Sequence, residues 1–246
     1  SKQARIRWKD VDITLLDTPG HVDFSAEMER TLRVLDAAIL VIDGSDGVQG
    51  DVYTLWRLLK RYEVPVFLFV NKMDQPGTDK EKTLAELQKK LDVNCIDYNG
   101  QDKDCLYDTA AMCSETLMEE YLNTGKISDE AMNEAIGHRQ IFPCLFGSAL
   151  KMEGVKELLA FMDAHMQRRE YPEEFGARVF KIVRDEQDNR LTYMKITGGS
   201  LKVKAMLTDY HEGMEPSECW QEKADQIRLY SGGTYDMVNE VTAGAV

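Results

Sequence analysis

The most informative stretch of the chain is an apolar run followed directly by a polar octapeptide. Residues 11–16 are Val-Asp-Ile-Thr-Leu-Leu, and the octapeptide is Asp17-Thr18-Pro19-Gly20-His21-Val22-Asp23-Phe24. Ligands of open α/β sheets bind beyond the carboxyl ends of the strands. Asp17 stands at such an end and can hold a magnesium ion, directly or through water. The amide of Gly20 can approach a terminal phosphate, and His21 can position a water for in-line attack. The tetrapeptide Asp-Thr-Pro-Gly alone is equally well explained as a turn.

A second polar motif, Asn71-Lys72-Met73-Asp74, follows the apolar run 64–70. Guanine presents two adjacent donors, the N1–H and the 2-amino group, and one carboxylate at Asp74 can accept from both. Adenine lacks that amino group and would leave Asp74 unpaired, so such a site can discriminate by roughly 10⁴. Asn71 can hold neighbouring structure or the acceptor edge of the base, and the stem of Lys72 can cover the base plane.

A third motif, Gly147-Ser148-Ala149-Leu150, follows the apolar run 141–146. Its small residues let backbone amides approach the base oxygen. Alone, it is at least as well explained as a turn between a strand and a helix. The three motifs in this order predict a guanine-nucleotide site.

Hydrophobic periodicity predicts an α/β fold with a mostly parallel sheet and helices on both faces, followed by a small antiparallel β-barrel. Strands are expected at about residues 4–8, 11–16, 37–42, 64–70 and 141–146. Helices are expected at about residues 25–35, 52–59, 84–91, 111–122, 128–139 and 155–162. Barrel strands are expected at 177–183, 191–197, 201–207 and 226–230. The predicted domains are a nucleotide-binding domain over 1–170, with an insert at about 94–140, and a truncated barrel over 176–246.

Composition narrows the class of protein. The net charge of −13 argues against broad basic patches that coat nucleic acid, although a local basic face can still dock on a ribonucleoprotein. The five cysteines form no Cys-x-x-Cys pair, which favours free thiols in a reducing cytosol. The apolar runs are shorter than the ~20 residues that span a bilayer. We therefore expect a cytoplasmic monomer without a membrane partner.

Together, Asp-Thr-Pro-Gly-His-Val-Asp-Phe, Asn-Lys-Met-Asp and Ser-Ala-Leu resemble the signature of translational GTPases. The barrel segment resembles domain II of elongation factor G, and the chain looks closest to tetracycline-resistance ribosomal protection proteins. The resemblance implies GTP and GDP as ligands, Mg²⁺ as cofactor and the ribosome as partner. It implies a catalytic role for His21. It further implies nucleotide contacts from Asp17, Thr18, Pro19, Gly20, His21, Asn71, Lys72, Asp74, Ser148, Ala149 and Leu150, with Asp17 on the magnesium.

The phosphate-binding motif Gly-x-x-x-x-Gly-Lys-Ser/Thr does not occur in the 246 residues. That loop cradles the phosphates of such nucleotides, and the last residues are strand-like. We therefore expect a fragment that binds GTP weakly and hydrolyses it hardly at all, from a parent GTPase whose task is translocation or antibiotic release. The alternative from another class is a pseudo-GTPase, a non-hydrolysing module that binds the ribosome or another protein.

Overall fold

The computed structural model describes residues 2–18, 26–99, 102–210, 213–215, 217 and 219–246. The described residues form two compact units. The first unit contains residues 2–18, 26–34 and those from 170 onward, and the second contains residues 35–169. The predicted domain boundaries at 170 and 176 stay a prediction.

The helices and strands alternate through the first two thirds of the chain. The helices are α1 (Ala26–Leu32), α2 (Gly50–Arg61), α3 (Lys80–Lys90), α4 (Lys103–Ala111), α5 (Glu115–Thr124), α6 (Asp129–Gly137) and α7 (Val155–His165). The strands up to α7 are β1 (Lys2–Trp8), β2 (Val11–Asp17), β3 (Ala38–Asp43), β4 (Val66–Asn71), β5 (Cys95–Asp97) and β6 (Phe142–Phe146). The remaining strands are β7 (Gly176–Arg184), β8 (Arg190–Gly198), β9 (Ser200–Lys202), β10 (Met206–Thr208), β11 (Gln221–Lys223), β12 (Ile227–Ser231), β13 (Thr234–Val238) and β14 (Glu240–Thr242).

The second unit is built on a four-stranded parallel sheet in the order β3-β4-β6-β5. All five residues of β6 and the first five of β4 are buried. Such continuous apolar strands are typical of parallel sheets that are covered on both faces. One core cluster joins Phe67 and Phe69 of β4 to buried residues of α4, α5, α6 and α7. Together with the antiparallel strand pairs of the first unit, this sheet confirms the predicted fold class.

The segment 94–140 contains three helices where the periodicity predicted two. The expected helix over 111–122 corresponds to α5, which begins after the N-cap Ser114, and α4, which ends at Ala111, was not predicted. The amide of Cys113 turns back to the carbonyl of Ala110, 3.0 Å away. Apolar spacing continues across this turn, so periodicity alone does not show the break.

The first unit consists of antiparallel strand pairs. The pairs are β1 with β2, β7 with β8, β9 with β14, β10 with β11, and β12 with β13. The predicted strand over 201–207 is wrong: it divides into β9 and β10. Lys204 has φ +72° between them, and its amide donates to the carbonyl of Ala224 at 2.7 Å. A left-handed residue ends regular strand geometry, and no turn-forming glycine marks the position in the sequence.

Strand β2 was expected over residues 11–16. In the structure it pairs with β1 over all seven residues, from Val11 opposite Trp8 to Asp17 opposite Lys2. Strand β1 in turn contacts β12, since the amide of Gly232 donates to the carbonyl of Gln3 at 2.7 Å. Within the described residues, the hairpin therefore belongs to the unit that contains the barrel strands.

Lys195 of β8 is a buried lysine with only 2% of its surface exposed. Its ammonium donates to the carbonyl of Val34, 3.1 Å away, just beyond the end of α1. Arg178 of β7 donates to the neighbouring carbonyl of Arg33 at 3.2 Å. The last carbonyls of a helix lack intrahelical partners, and a buried charge is tolerated only when it is hydrogen-bonded. These two cations therefore hold the end of α1 against the β7–β8 pair.

No helix among the described residues is both long enough and apolar enough to cross a membrane.

Replacing Lys195 with alanine removes a donor from the buried carbonyl of Val34. We expect Lys195→Ala to lower the free energy of unfolding by about 1–3 kcal/mol. Lys202→Ala is the matched control, because Lys202 is 69% exposed and lies 3.8 Å from Glu240. Its effect should stay within about 0.5 kcal/mol. Urea unfolding followed by circular dichroism measures both, and equal losses would contradict the role of Lys195.

Candidate functional site

Two of the three sequence motifs meet at the carboxyl edge of the parallel sheet. Strand β4 ends at Asn71 and its neighbour β6 ends at Phe146, so the loops that follow them are adjacent. The side-chain oxygen of Asn71 accepts a hydrogen bond from the amide of Ala149 at 2.8 Å. The amide of Met73 donates to the carbonyl of Gly147 at 3.0 Å. Residues 71–74 and 147–150 therefore form one site, although Asn71 and Ala149 are 78 positions apart in the chain.

Glycine is required where the second loop leaves the sheet. A Cβ atom on Gly147 would lie 2.2 Å from the carbonyl oxygen of Glu153. The close approach arises because Ser148 and Glu153 exchange two backbone hydrogen bonds of 3.0 Å. The loop is thus a tight, hydrogen-bonded turn, and the side chain of Leu150 projects from it with 92% exposure. A turn of this kind presents backbone amides beside Asn71.

Asp74 lies next to two polar groups of the second loop. The ammonium of Lys151 is 3.3 Å from its carboxylate. The buried hydroxyl of Ser148 also faces Asp74. Ser148 first and then Lys151 lower the pKa of Asp74 below its ordinary value. A carboxylate that stays ionised at neutral pH is the acceptor that the two donors of guanine require.

Lys72 has a left-handed backbone, with φ +63°, and its ammonium pairs with the carboxylate of Asp43. Asp43 is the last residue of β3 and also accepts from the amide and the hydroxyl of Ser45, at 2.9 and 2.6 Å. The hydrogen bond from Lys72 and then those from Ser45 hold the pKa of Asp43 well below its usual range. The same pair raises the pKa of Lys72. This ion pair fixes the direction in which the Lys72 stem leaves the motif.

The octapeptide is only partly described. Asp17 is the exposed last residue of β2 and, with Thr18, belongs to the first unit, whereas residues 71–74 and 147–150 belong to the second. Pro19, Gly20 and His21 lie outside the described residues. Within the part of the chain that is described, no cluster of three or more histidine, cysteine or acidic side chains could hold a metal. The magnesium contact of Asp17 and the roles of Pro19, Gly20 and His21 stay predictions.

Comparison with protein families settles the class of the chain. A family model described as the elongation factor Tu GTP binding domain matches residues 1–168.

The chain belongs to this family. Among curated proteins, an elongation factor G of Mycoplasma genitalium is 31% identical over the whole chain and 45% of the relative. The tetracycline resistance protein TetO of Streptococcus mutans is 31% identical over 82% of the chain and 34% of the relative. A mitochondrial ribosome-releasing factor 2 of Drosophila ananassae is 28% identical over 93% of the chain and 39% of the relative. The chain thus spans less than half the length of these relatives.

A crystal structure of a protein from Thermus thermophilus has the same fold, with a TM-score of 0.79 and 20% identity. The match covers 99% of this chain and 43% of the other. These comparisons confirm the resemblance stated from the motifs: the chain is related to translational GTPases of the elongation factor G class, and residues 1–168 match the GTP-binding domain. A GTP-binding domain of this kind supports binding of GTP and GDP.

Sequence reasoning missed three polar residues that contact or support the GTPase motifs. They are Asp43, Lys151 and Asn99. Asp43 ends the apolar strand β3, which is the same signal that pointed to Asp17, so position alone could have identified it. Lys151 directly follows the third motif, and only the turn 148–153 brings it back to Asp74. Asn99 has no motif around it, and only the sheet register reveals its contacts.

The two lysine–carboxylate pairs can be tested separately. Lys72→Met should raise the pKa of Asp43 toward the ordinary aspartate value and leave Asp74 unchanged. Lys151→Met should raise the pKa of Asp74 and leave Asp43 unchanged, so each variant is the control for the other. Carboxyl-carbon NMR titration measures both values. A shift of both carboxyls in either variant would contradict two independent pairs.

The Lys72–Asp43 pair also predicts a pH dependence of stability. Because the pKa of Asp43 is depressed in the folded protein, its contribution is present above the unfolded value of about 3.9 and is lost as the pH falls through the folded value. The stability difference between wild type and Lys72→Met should therefore be constant near neutral pH and vanish in strong acid. Denaturant unfolding across that range measures it.

Proposed function

We propose that the protein binds GTP and GDP with the guanine base between residues 71–74 and 147–150, and that the full-length protein hydrolyses GTP on the ribosome. The observation that carries this proposal is the hydrogen bond of 2.8 Å between Asn71 and the amide of Ala149. It brings the two base-reading motifs of the family together in this chain. The names of the relatives, elongation factor G and TetO, support a ribosomal task.

Each base-reading residue has a distinct task in this proposal. Asp74 accepts from the N1–H and the 2-amino group of guanine. The backbone of residues 148–150 approaches the base oxygen, and the hydrocarbon stem of Lys72 covers one face of the ring. Lys151 pairs with Asp74, and because its side chain is 52% exposed it can move to solvent at little cost when a base binds.

The chemical step is assigned to residues of the octapeptide. His21 orients the attacking water, and the amide of Gly20 donates to the terminal phosphate. Asp17 is the residue that would hold magnesium, an ion that neutralises charge on the phosphates when bound. We further propose that the protein acts as a cytoplasmic monomer without a membrane partner.

Changing Asp74 to asparagine tests the reading of the base. An amide keeps one acceptor for the N1–H but turns a donor toward the 2-position, where guanine also has a donor and xanthine has an oxygen. In the full-length protein, Asp74→Asn should weaken GDP binding by about 10²–10⁴-fold and favour xanthosine diphosphate. Fluorescence titration measures both constants.

Asp51→Asn is the matched control, because Asp51 lies in the first turn of α2, outside both base-reading loops. It should leave both nucleotide affinities unchanged. If Asp74→Asn kept the guanine preference of the wild type, the assignment of the base site would be wrong.

The catalytic assignment predicts that His21→Ala abolishes most of the ribosome-stimulated GTP hydrolysis of the full-length protein, because the attacking water loses its positioning group. A loss of about 10²–10⁴-fold is expected. His138→Ala is the control, since His138 caps the end of α6 through its backbone amide. Phosphate release with and without ribosomes measures the rates, and undiminished stimulation in His21→Ala would refute the role.

A further inference from the structure

Among the described residues, strand β6 extends past the end of its neighbour β5, so the last backbone groups of β6 on that side have no strand to pair with. Strand β5 has only three residues and pairs with β6 from Cys95 opposite Phe142 to Asp97 opposite Cys144. One more backbone bond follows, from the amide of Tyr98 to the carbonyl of Cys144 at 2.9 Å. Phe146, two residues further along β6, is 7% exposed. Its peptide groups need partners, because an unpaired buried group costs about 1–3 kcal/mol.

The side chain of Asn99 supplies both partners. Its oxygen accepts from the amide of Phe146 at 2.8 Å, and its nitrogen donates to the carbonyl of Phe146 at 3.2 Å. One side-chain amide thus occupies the place of the next peptide group of β5. Because Phe146 directly precedes Gly147, this pairing sets the position from which the loop 147–150 leaves the sheet.

Asn99 is itself held by an ion pair below the loop. Its amide donates to Asp97 at 2.9 Å, and its carbonyl accepts from Lys80 at 2.9 Å. Lys80 also pairs with the buried carboxylate of Asp97 at 2.6 Å and lies 5.3 Å from the centre of the Phe146 ring. Lys80 is the first residue of α3, which begins six positions after Asp74. The network therefore connects the segment after the first base-reading loop to the start of the second.

We infer that Asn99 is a positioning residue for guanine recognition, which holds the loop 147–150 in register with Asn71 by pairing with both peptide groups of Phe146. The inference rests on the proposed guanine site. Asn99 acts through Phe146 on the backbone that approaches the base oxygen, whereas Asp74 reads the other edge of the base. Loss of Asn99 should therefore weaken recognition of the oxygen and spare recognition of the 2-amino group.

Three nucleotides separate these two edges in titrations of the full-length protein. GDP has both groups, inosine diphosphate lacks the 2-amino group, and 6-thioguanosine diphosphate replaces the oxygen with sulfur, a weak acceptor. In Asn99→Ala we expect GDP affinity to fall about tenfold, equivalent to about 1.4 kcal/mol. The ratio of the affinity for GDP to the affinity for the thio analogue should fall toward one. The preference for GDP over inosine diphosphate should persist.

Asn94→Ala is a closely matched control. Asn94 is half-buried like Asn99, and its amide also donates to an aspartate two positions earlier, Asp92, at 3.0 Å. Its side chain makes two bonds to backbone, to the carbonyls of Cys113 and Gln140 at 3.3 and 2.8 Å. It lies at the other end of the β5–β6 pair, so its loss should lower stability and leave all three nucleotide preferences intact.

The result that would overturn the inference is an unchanged preference for GDP over the thio analogue in Asn99→Ala, or an equal reduction in Asn94→Ala. Asn99→Asp serves where the alanine variant does not fold. It keeps an acceptor for the amide of Phe146 and loses the donor to its carbonyl, so an intermediate reduction is expected and no reduction counts against the inference. A wild type that does not prefer GDP to ADP would instead refute the proposed base site.

Discussion

The hydrogen bond between the side chain of Asn71 and the amide of Ala149 is the interaction on which the candidate site depends. It joins the ends of β4 and β6, two strands that are parallel neighbours in a buried sheet. Parallel strands end at the same edge, so the fold brings these loops close, and a side-chain amide then fixes their separation. The bond adds to those from the amide of Met73 to Gly147 and from the amide of Gly147 to Val70, which hold the start of the same loop.

Two carboxylates at this edge, Asp43 and Asp74, have different surroundings. Asp43 accepts from Lys72 and twice from Ser45, so its acceptor capacity is committed to the fold. Asp74 faces the exposed Lys151 and the buried hydroxyl of Ser148. Asp43 therefore supports the fold, whereas Asp74 is the carboxylate that we propose as the acceptor for the base.

Local pattern predicted most elements of the second unit, because β4 and β6 are continuous apolar runs and the helices have regular spacing. It missed α4, and it failed at Lys204, where a turn interrupts an apolar pattern. It placed β2 at the right residues but did not assign its partner strand. The strand with which β2 pairs depends on which sheet edge is free to accept it, and the sequence of a single strand does not contain that information.

The sequence by itself determined the family: the motifs around Asn71, Asp74 and Ser148 predict a guanine-nucleotide site, and the family comparison confirms a GTP-binding domain. Only the tertiary structure decided which other residues act there. Asp43 contacts Lys72, which is 29 positions away in the chain. Lys151 contacts Asp74 across 77 positions, and Asn99 contacts Phe146, next to the third motif, across 47 positions. Those contacts follow from strand order and register, which are properties of the packed sheet and leave no local pattern in the sequence.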